Sequence, residues 1–195
     1  LLYLRSSGER MLNRRGFTLI ELAIAMALIA LLAGVLIPTM FRRSQDAQST
    51  AMLQNLNALT IALNAFKADV GRYPSRLTML STAPVAASVD ICSRTMPLFG
   101  SWNGPYMDRT LTATGLPTGS ATITDTVTRD PPSAVITIAP AQVILTAREV
   151  DQDVALALDA QFDGDANLTT GSIRWSVGAL ADRGSLFYRF PMRGC

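Results

Sequence analysis

Three small sets of residues in this 195-residue sequence have the types and spacing to do chemistry. Glu21 places a carboxylate inside an otherwise apolar stretch, where at membrane depth it would cost on the order of 3 kcal/mol, so it needs a function or a positive group nearby. Asp159, Asp163, Asp165 and Asn167 crowd oxygen ligands into one short segment, and its D-G-D-A-N run fits the start of a calcium loop. The bidentate glutamate of an EF-hand is missing there. The plainer reading of the same residues is a solvated helix end and turn, with Gly164 and Gly171 supplying unusual dihedrals. Cys92 and Cys195 are the two cysteines; they allow one intramolecular pairing, and neither belongs to a C-x-x-C motif.

What is missing narrows the field further. The chain has no histidine, which excludes Ser-His-Asp and Cys-His catalysis and every zinc site built on imidazole. It has no phosphate loop, no G-x-S-x-G and no recognisable carboxylate pair, so an enzyme is not expected. The net charge of +2 suggests neither a nucleic-acid binder nor a protein for acidic substrates. No cofactor is expected beyond the candidate calcium ion.

The element that must position Glu21 is the apolar run. Leu22 to Phe41 is twenty residues without a charge. At about 1.5 Å per residue a helix of that length covers about 30 Å, the hydrocarbon thickness of a bilayer. Arg14 and Arg15 precede it and favour a cytoplasmic N-terminus, although Arg42 and Arg43 follow and weaken the asymmetry. A secretory signal peptide and a plain membrane anchor are the alternatives, and Glu21 argues against the anchor. Against the signal peptide, the run exceeds the usual h-region and no small-x-small cleavage site follows Pro38.

Arg14-Arg15-Gly16-Phe17-Thr18-Leu19-Ile20-Glu21 resembles the class III signal of type IV prepilins and type II secretion pseudopilins. The resemblance implies cleavage between Gly16 and Phe17 by prepilin peptidase and N-methylation of Phe17. It gives Glu21 the task of attracting the N-terminal amine of a neighbouring subunit during assembly. Two charges that are each unfavourable in lipid become less so as a pair. Pro38 matches the proline that bends or locally melts this helix in the family. Met11 opens a compact leader, MLNRRG, and residues 1–10 are expected to be an upstream extension.

Beyond the run the pattern turns amphipathic. Met52, Leu56, Leu59, Leu63 and Phe66 alternate spacings of four and three, one stripe of a helix. Gly71 is a plausible C-cap and Pro74 a stop. Asp69-Val70-Gly71-Arg72-Tyr73-Pro74 resembles the D-x-G-x-Y-P that ends the long helix in major pseudopilins, and Trp102-Asn103-Gly104-Pro105-Tyr106 resembles their W-x-G-P-Y. Strands are expected over Ala121–Thr128, Ala134–Ile138, Gln142–Thr146, Ser172–Val177 and Leu186–Phe190. Asp151 is expected to N-cap a short helix carrying Val154, Leu158 and Phe162.

The expected fold is α+β, a pilin-like lollipop whose long N-terminal helix packs on a small antiparallel sheet. Its parts are a leader (1–16), a transmembrane or filament-core helix (17–41), the amphipathic half of the helix (42–70) and a globular head (71–195). If the head lies outside the cytoplasm, a Cys92–Cys195 disulfide is the natural reading, against free or intermolecular thiols. Closing a loop of about one hundred residues contributes up to about 4–5 kcal/mol in the chain-entropy account.

By resemblance the chain is a structural subunit of a type IV pilus or a type II secretion pseudopilus. The implied partners are prepilin peptidase, other pilin or pseudopilin subunits, the inner-membrane assembly platform and the membrane itself; nucleic acid is not indicated. The implied course is a single-pass inner-membrane precursor, then a periplasmic or extracellular filament. The second reading is a minor pilin acting as a tip binding module for adhesion or DNA uptake, which Arg174, Arg183, Arg189 and Arg193 allow. Glu21 argues mildly against the tip subunit of a pseudopilus, which often lacks that glutamate.

Overall fold

The computed structural model describes residues 17–96, 101–130, 141–179 and 182–192. Gly16, Cys195 and the expected strand Ala134–Ile138 lie outside the described residues. The chain divides into two compact units, Leu1–Arg42 and Arg43–Cys195.

In the first unit the described chain is the opening of helix α1 (Leu19–Val70). Thr18 begins it: its Oγ1 accepts from the Glu21 N–H at 3.3 Å and its carbonyl from the Leu22 N–H at 3.2 Å. These bonds satisfy two of the N–H groups a helix start leaves open. The helix is unbroken at Pro38, since one missing N–H leaves the flanking turns bonded. Among the described residues no helix is long and apolar enough to cross a membrane. The side chains of Val35, Pro38, Thr39 and Phe41, inside the expected span, are not among those described.

The second unit holds the rest of α1 and an antiparallel five-stranded sheet in the order β1-β2-β3-β5-β4. The strands are β1 (Leu116–Thr118), β2 (Ala121–Asp130), β3 (Gln142–Asp151), β4 (Ile173–Val177) and β5 (Arg183–Pro191). Helix α2 (Gln152–Phe162) follows β3 directly. The expected stripe is buried in full: Met52, Leu56, Leu59, Leu63 and Phe66 are each at most 1% exposed. They join Ile123, Val143, Leu145, Ile173 and Leu186 from the inner sheet face in one core. Gly71 ends α1 with φ +81° and its N–H on the Lys67 carbonyl at 2.8 Å, the left-handed helix stop that glycine adopts without a Cβ penalty.

Two buried carboxylates order the segment after α1, and the first ties it to the sheet. Asp125 of β2 accepts from the Thr78 N–H at 2.8 Å, beside a 3-10 turn at Leu77–Leu80. Asp90 accepts from the Cys92 and Arg94 N–H groups, each at 2.8 Å. The two aromatic motifs meet: Tyr106 donates to Asp69 at 2.9 Å, and its ring sits edge-on to Phe66 and Trp102.

Some expectations are corrected. Asp151 precedes α2 but its side chain makes no capping bond; it instead accepts from Arg183 Nε at 3.0 Å, its register partner across β3 and β5. A carboxylate facing a guanidinium gains more from that pairing than from a neutral N–H. Strand β3 runs past Thr146 to Asp151 through an irregularity between Ala147 and Val150, where Glu149 takes φ +58°. Strand β1 was not expected.

Candidate processing and assembly site

Phe17 and Glu21 stand at the start of α1, four positions apart. With Thr18 as N-cap, Glu21 is the third helical residue, so Thr18-Leu19-Ile20-Glu21 has the T-x-x-E form of a capping box. That local signal is present in the sequence alongside the more conspicuous one, a glutamate set within an apolar run. A carboxylate in the first turn also faces the positive end of the helix dipole. Both residues are exposed, Phe17 at 83%.

The surface that follows is apolar all round. Leu19, Ile20, Leu22, Ile24, Met26, Leu28, Ile29, Leu31 and Leu32 are each more than half exposed, and so are Leu36, Ile37 and Met40. A contiguous apolar surface of this size on a soluble chain marks a site of protein or membrane contact. A helix hydrophobic on every face is one that ends up buried.

The acidic segment forms a second candidate site, at the end of α2. Asp159 is wholly buried, and no hydrogen bond of acceptable geometry reaches either carboxylate oxygen. Burial, first, pushes its pKa up; the nearby Asn167 N–H opposes this, and the Asp165 and Asp163 carboxylates reinforce it. Asp163 Oδ2 accepts from the Ser172 and Ile173 N–H groups at 2.7 and 2.9 Å. Asp165 Oδ1 accepts from the Asn167 N–H at 3.1 Å, and Asn167 Oδ1 from Thr169 Oγ1 at 2.6 Å. The structure therefore places Asp163, Asp165 and Asn167 in the segment that follows Asp159 of α2, and those three hold donors of that segment and of the start of β4. Among the described residues no group of three or more Asp, Glu, Cys or His is placed to hold a metal ion.

Cys92 is disulfide-bonded. It lies in the Asp90 turn, and Arg129 Nη1 donates to its sulfur at 3.5 Å.

Residues 11–37 match the family model described as the prokaryotic N-terminal methylation motif. The type II secretion system core protein G of Klebsiella pneumoniae is 30% identical over 87 residues, covering 45% of this chain and 62% of that protein. The type IV wide pilus major component PilA4 of Thermus thermophilus is 39% identical over 70 residues, 36% of this chain and 53% of that protein. The N-terminal part of the chain is thus similar to pilins and pseudopilins. The type IV major pilin protein PilA of Myxococcus xanthus is a further relative, 36% identical over 72 residues, 37% of this chain and 33% of that protein. The chain thus spans less than two thirds of the length of each of these three relatives. No solved structure matches it. Gly16, Phe17 and Glu21 all fall inside the matched residues.

Proposed function

We propose that this chain is a structural filament subunit. Prepilin peptidase cuts it between Gly16 and Phe17, Phe17 is N-methylated, and Glu21 receives the amine of a neighbouring subunit. Before assembly, residues 17–41 hold the precursor in the inner membrane with its N-terminus in the cytoplasm. The assembly platform there then transfers it into a type IV pilus or type II secretion pseudopilus. The observation that carries this reading is the apolar surface of α1, whose described large apolar side chains from Leu19 to Met40, within and just beyond the matched motif, are exposed. Lipid covers such a surface in the precursor and neighbouring helices cover it in a filament, so one surface serves both states.

Intact mass and N-terminal sequencing of protein from native membranes and sheared surface filaments test the reading. A chain starting at methylated Phe17 supports it. Abundance in the sheared fraction assigns a pilus subunit, and confinement to the envelope a pseudopilus or minor one. An uncut N-terminus, or a cut beyond Pro38, overturns it.

Two further assignments belong with this reading. Cys92 pairs with Cys195, the chain's only other cysteine. Calcium at Asp159, Asp163, Asp165 and Asn167 rests on one observation, the buried Asp159 carboxylate without a hydrogen-bond partner, which a cation would satisfy.

A further inference from the structure

The segment joining α2 to β4 holds a motif that the acidic residues around it obscure. Asp165-Ala166-Asn167-Leu168-Thr169 contains N-x-T with leucine in the middle, the acceptor pattern of N-linked glycosylation. Of the six asparagines in the sequence, Asn167 is the one followed two residues later by serine or threonine. Three residues match such a pattern by chance often, so the case rests on how the fold displays them.

The triad alternates in exposure. Asn167 and Thr169 are exposed, while Leu168 between them is half-buried and packs against the core. The Leu168 carbonyl also accepts the Trp175 N–H of β4 at 3.0 Å. The middle residue thus anchors the segment and the two that a transferase reads face water. Their side chains are already together. Asn167 Oδ1 accepts from the Thr169 N–H at 3.2 Å and from Thr169 Oγ1 at 2.6 Å, an Asx turn that fixes how the amide faces. With Oδ1 committed to Thr169, the nitrogen is the free end of the amide: among the described residues no acceptor takes a hydrogen bond from Nδ2. The flanks leave room for a bulky group, since Gly164, Asp165, Ala166, Thr170 and Gly171 are exposed as well. The segment is nonetheless held at its base, where Asp163 takes the Ser172 and Ile173 N–H groups.

We propose that Asn167 is an acceptor for N-linked glycosylation, presented by the folded head to an oligosaccharyltransferase of the cell envelope whose donor is an oligosaccharide on a polyprenyl pyrophosphate. Such a modification requires the head outside the cytoplasm, so it rests on the precursor orientation proposed above. In the transfer Nδ2 forms a bond to C1 of the first sugar as the bond from C1 to the pyrophosphate oxygen breaks. The electron pair leaves on the polyprenyl pyrophosphate, and Nδ2 gives one proton to a base of the transferase. Oδ1, the atom a cation would take, is not altered.

The test incubates the full chain in mild detergent with a purified single-subunit bacterial oligosaccharyltransferase and a hexosamine-containing oligosaccharide on undecaprenyl pyrophosphate. A short acceptor peptide in the same tube reports that the enzyme is active. The expected result is a gain of one glycan mass, mapped to Asn167 by peptide fragmentation. Asn167→Gln and Thr169→Val lose it to background, and Thr169→Ser keeps it. Valine matches threonine in shape, so an unchanged Tm in Thr169→Val separates loss of the hydroxyl from loss of folding. No transfer to the chain while the peptide is modified, transfer at another residue, or undiminished transfer in Thr169→Val overturns the proposal. Expression in a cell that carries the same enzyme and donor in its envelope tests the orientation separately. Transfer there supports both readings. Transfer in detergent with none in that cell overturns the precursor orientation, and modification in the cell with it.

Discussion

Replacing Asp159 with asparagine tests whether a proton or a cation balances the acidic turn at the end of α2. The carboxyl is completely enclosed, lacks a hydrogen-bond partner, and has Asp165 and Asp163 beside it. Its folded pKa is raised, with burial as the first cause. At low pH both folded and unfolded chains hold the proton at this site. As pH rises past the unfolded value, near 3.9, the unfolded chain releases its proton first while the native one retains it. The native state then binds more protons, so the free energy of unfolding falls with pH until the folded pKa has been passed. Stability from this group is full below the unfolded pKa and lost as pH climbs through the folded one.

Each tenfold difference in proton affinity between the two states is worth about 1.4 kcal/mol, less what nearby solvent screens. Asparagine keeps the shape and stays neutral at every pH. In a chelating buffer Asp159→Asn is expected to be more stable than the parent at pH 7, to match it at pH 3, and to show a flatter profile between. The assay is thermal unfolding in mild detergent, read by the fluorescence of Trp102 and Trp175. A variant less stable than the parent at pH 7 in chelator refutes the reasoning. Calcium added to the parent separates the two balances: stabilisation that vanishes in Asp159→Asn assigns the cation, and none up to millimolar calcium leaves the proton.

Further consequences concern the supports of the head. Phe66→Ala empties a position with no solvent exposure and removes the edge contact to Tyr106, so urea unfolding should show a loss of about 3–5 kcal/mol. Asp125→Ala leaves the Thr78 N–H and Arg76 without their acceptor, an expected loss of about 1–3 kcal/mol with faster amide exchange around Leu77–Leu80. Gly171→Ala puts a Cβ 2.4 Å from Asp163 Oδ2 at φ +77°, so it is expected to cost more than about 1 kcal/mol in the same measurement.

What could be read in advance was what repeats locally. The stripe from Met52 to Phe66 sits where its spacing put it, because a helical period is set by neighbours along the chain. Strand β1 was missed because it is three residues long, contains Pro117 and follows Gly115 at φ +107°, so nothing alternates long enough to be seen. The far half of β3 was missed because Glu149 in the left-handed region interrupts the alternation that marks a strand. Asp151 misled because its partner, Arg183, lies on another strand. Asp125 was unreadable for the same reason: a buried acid is recognised by what it bonds, and its donor, the Thr78 N–H, comes from elsewhere in the chain. In the acidic turn the residue types suggested a shared ligand, while the structure commits three of the four to donors of that segment and of the start of β4.

Glu21 is the position where local structure and proposed function overlap, and they can be separated. As the third residue of α1 it suits the helix start, where a glutamine serves nearly as well in a capping box. Reception of a neighbour's amine needs the charge, which glutamine lacks. Glu21→Gln should therefore leave membrane insertion and cleavage at Gly16–Phe17 intact while sharply lowering entry into filaments, by an order of magnitude or more if one unpaired charge in a low-dielectric core costs about 3 kcal/mol. Glu21→Ala removes both contributions and should be no worse than glutamine in assembly, with a helix start weakened by a few tenths of a kcal/mol. Mass spectrometry of the processed N-terminus and the ratio of sheared to membrane-bound protein read the two effects apart. Filament yield in Glu21→Gln equal to the parent would reduce Glu21 to a helix-starting residue and remove amine pairing from the assembly step.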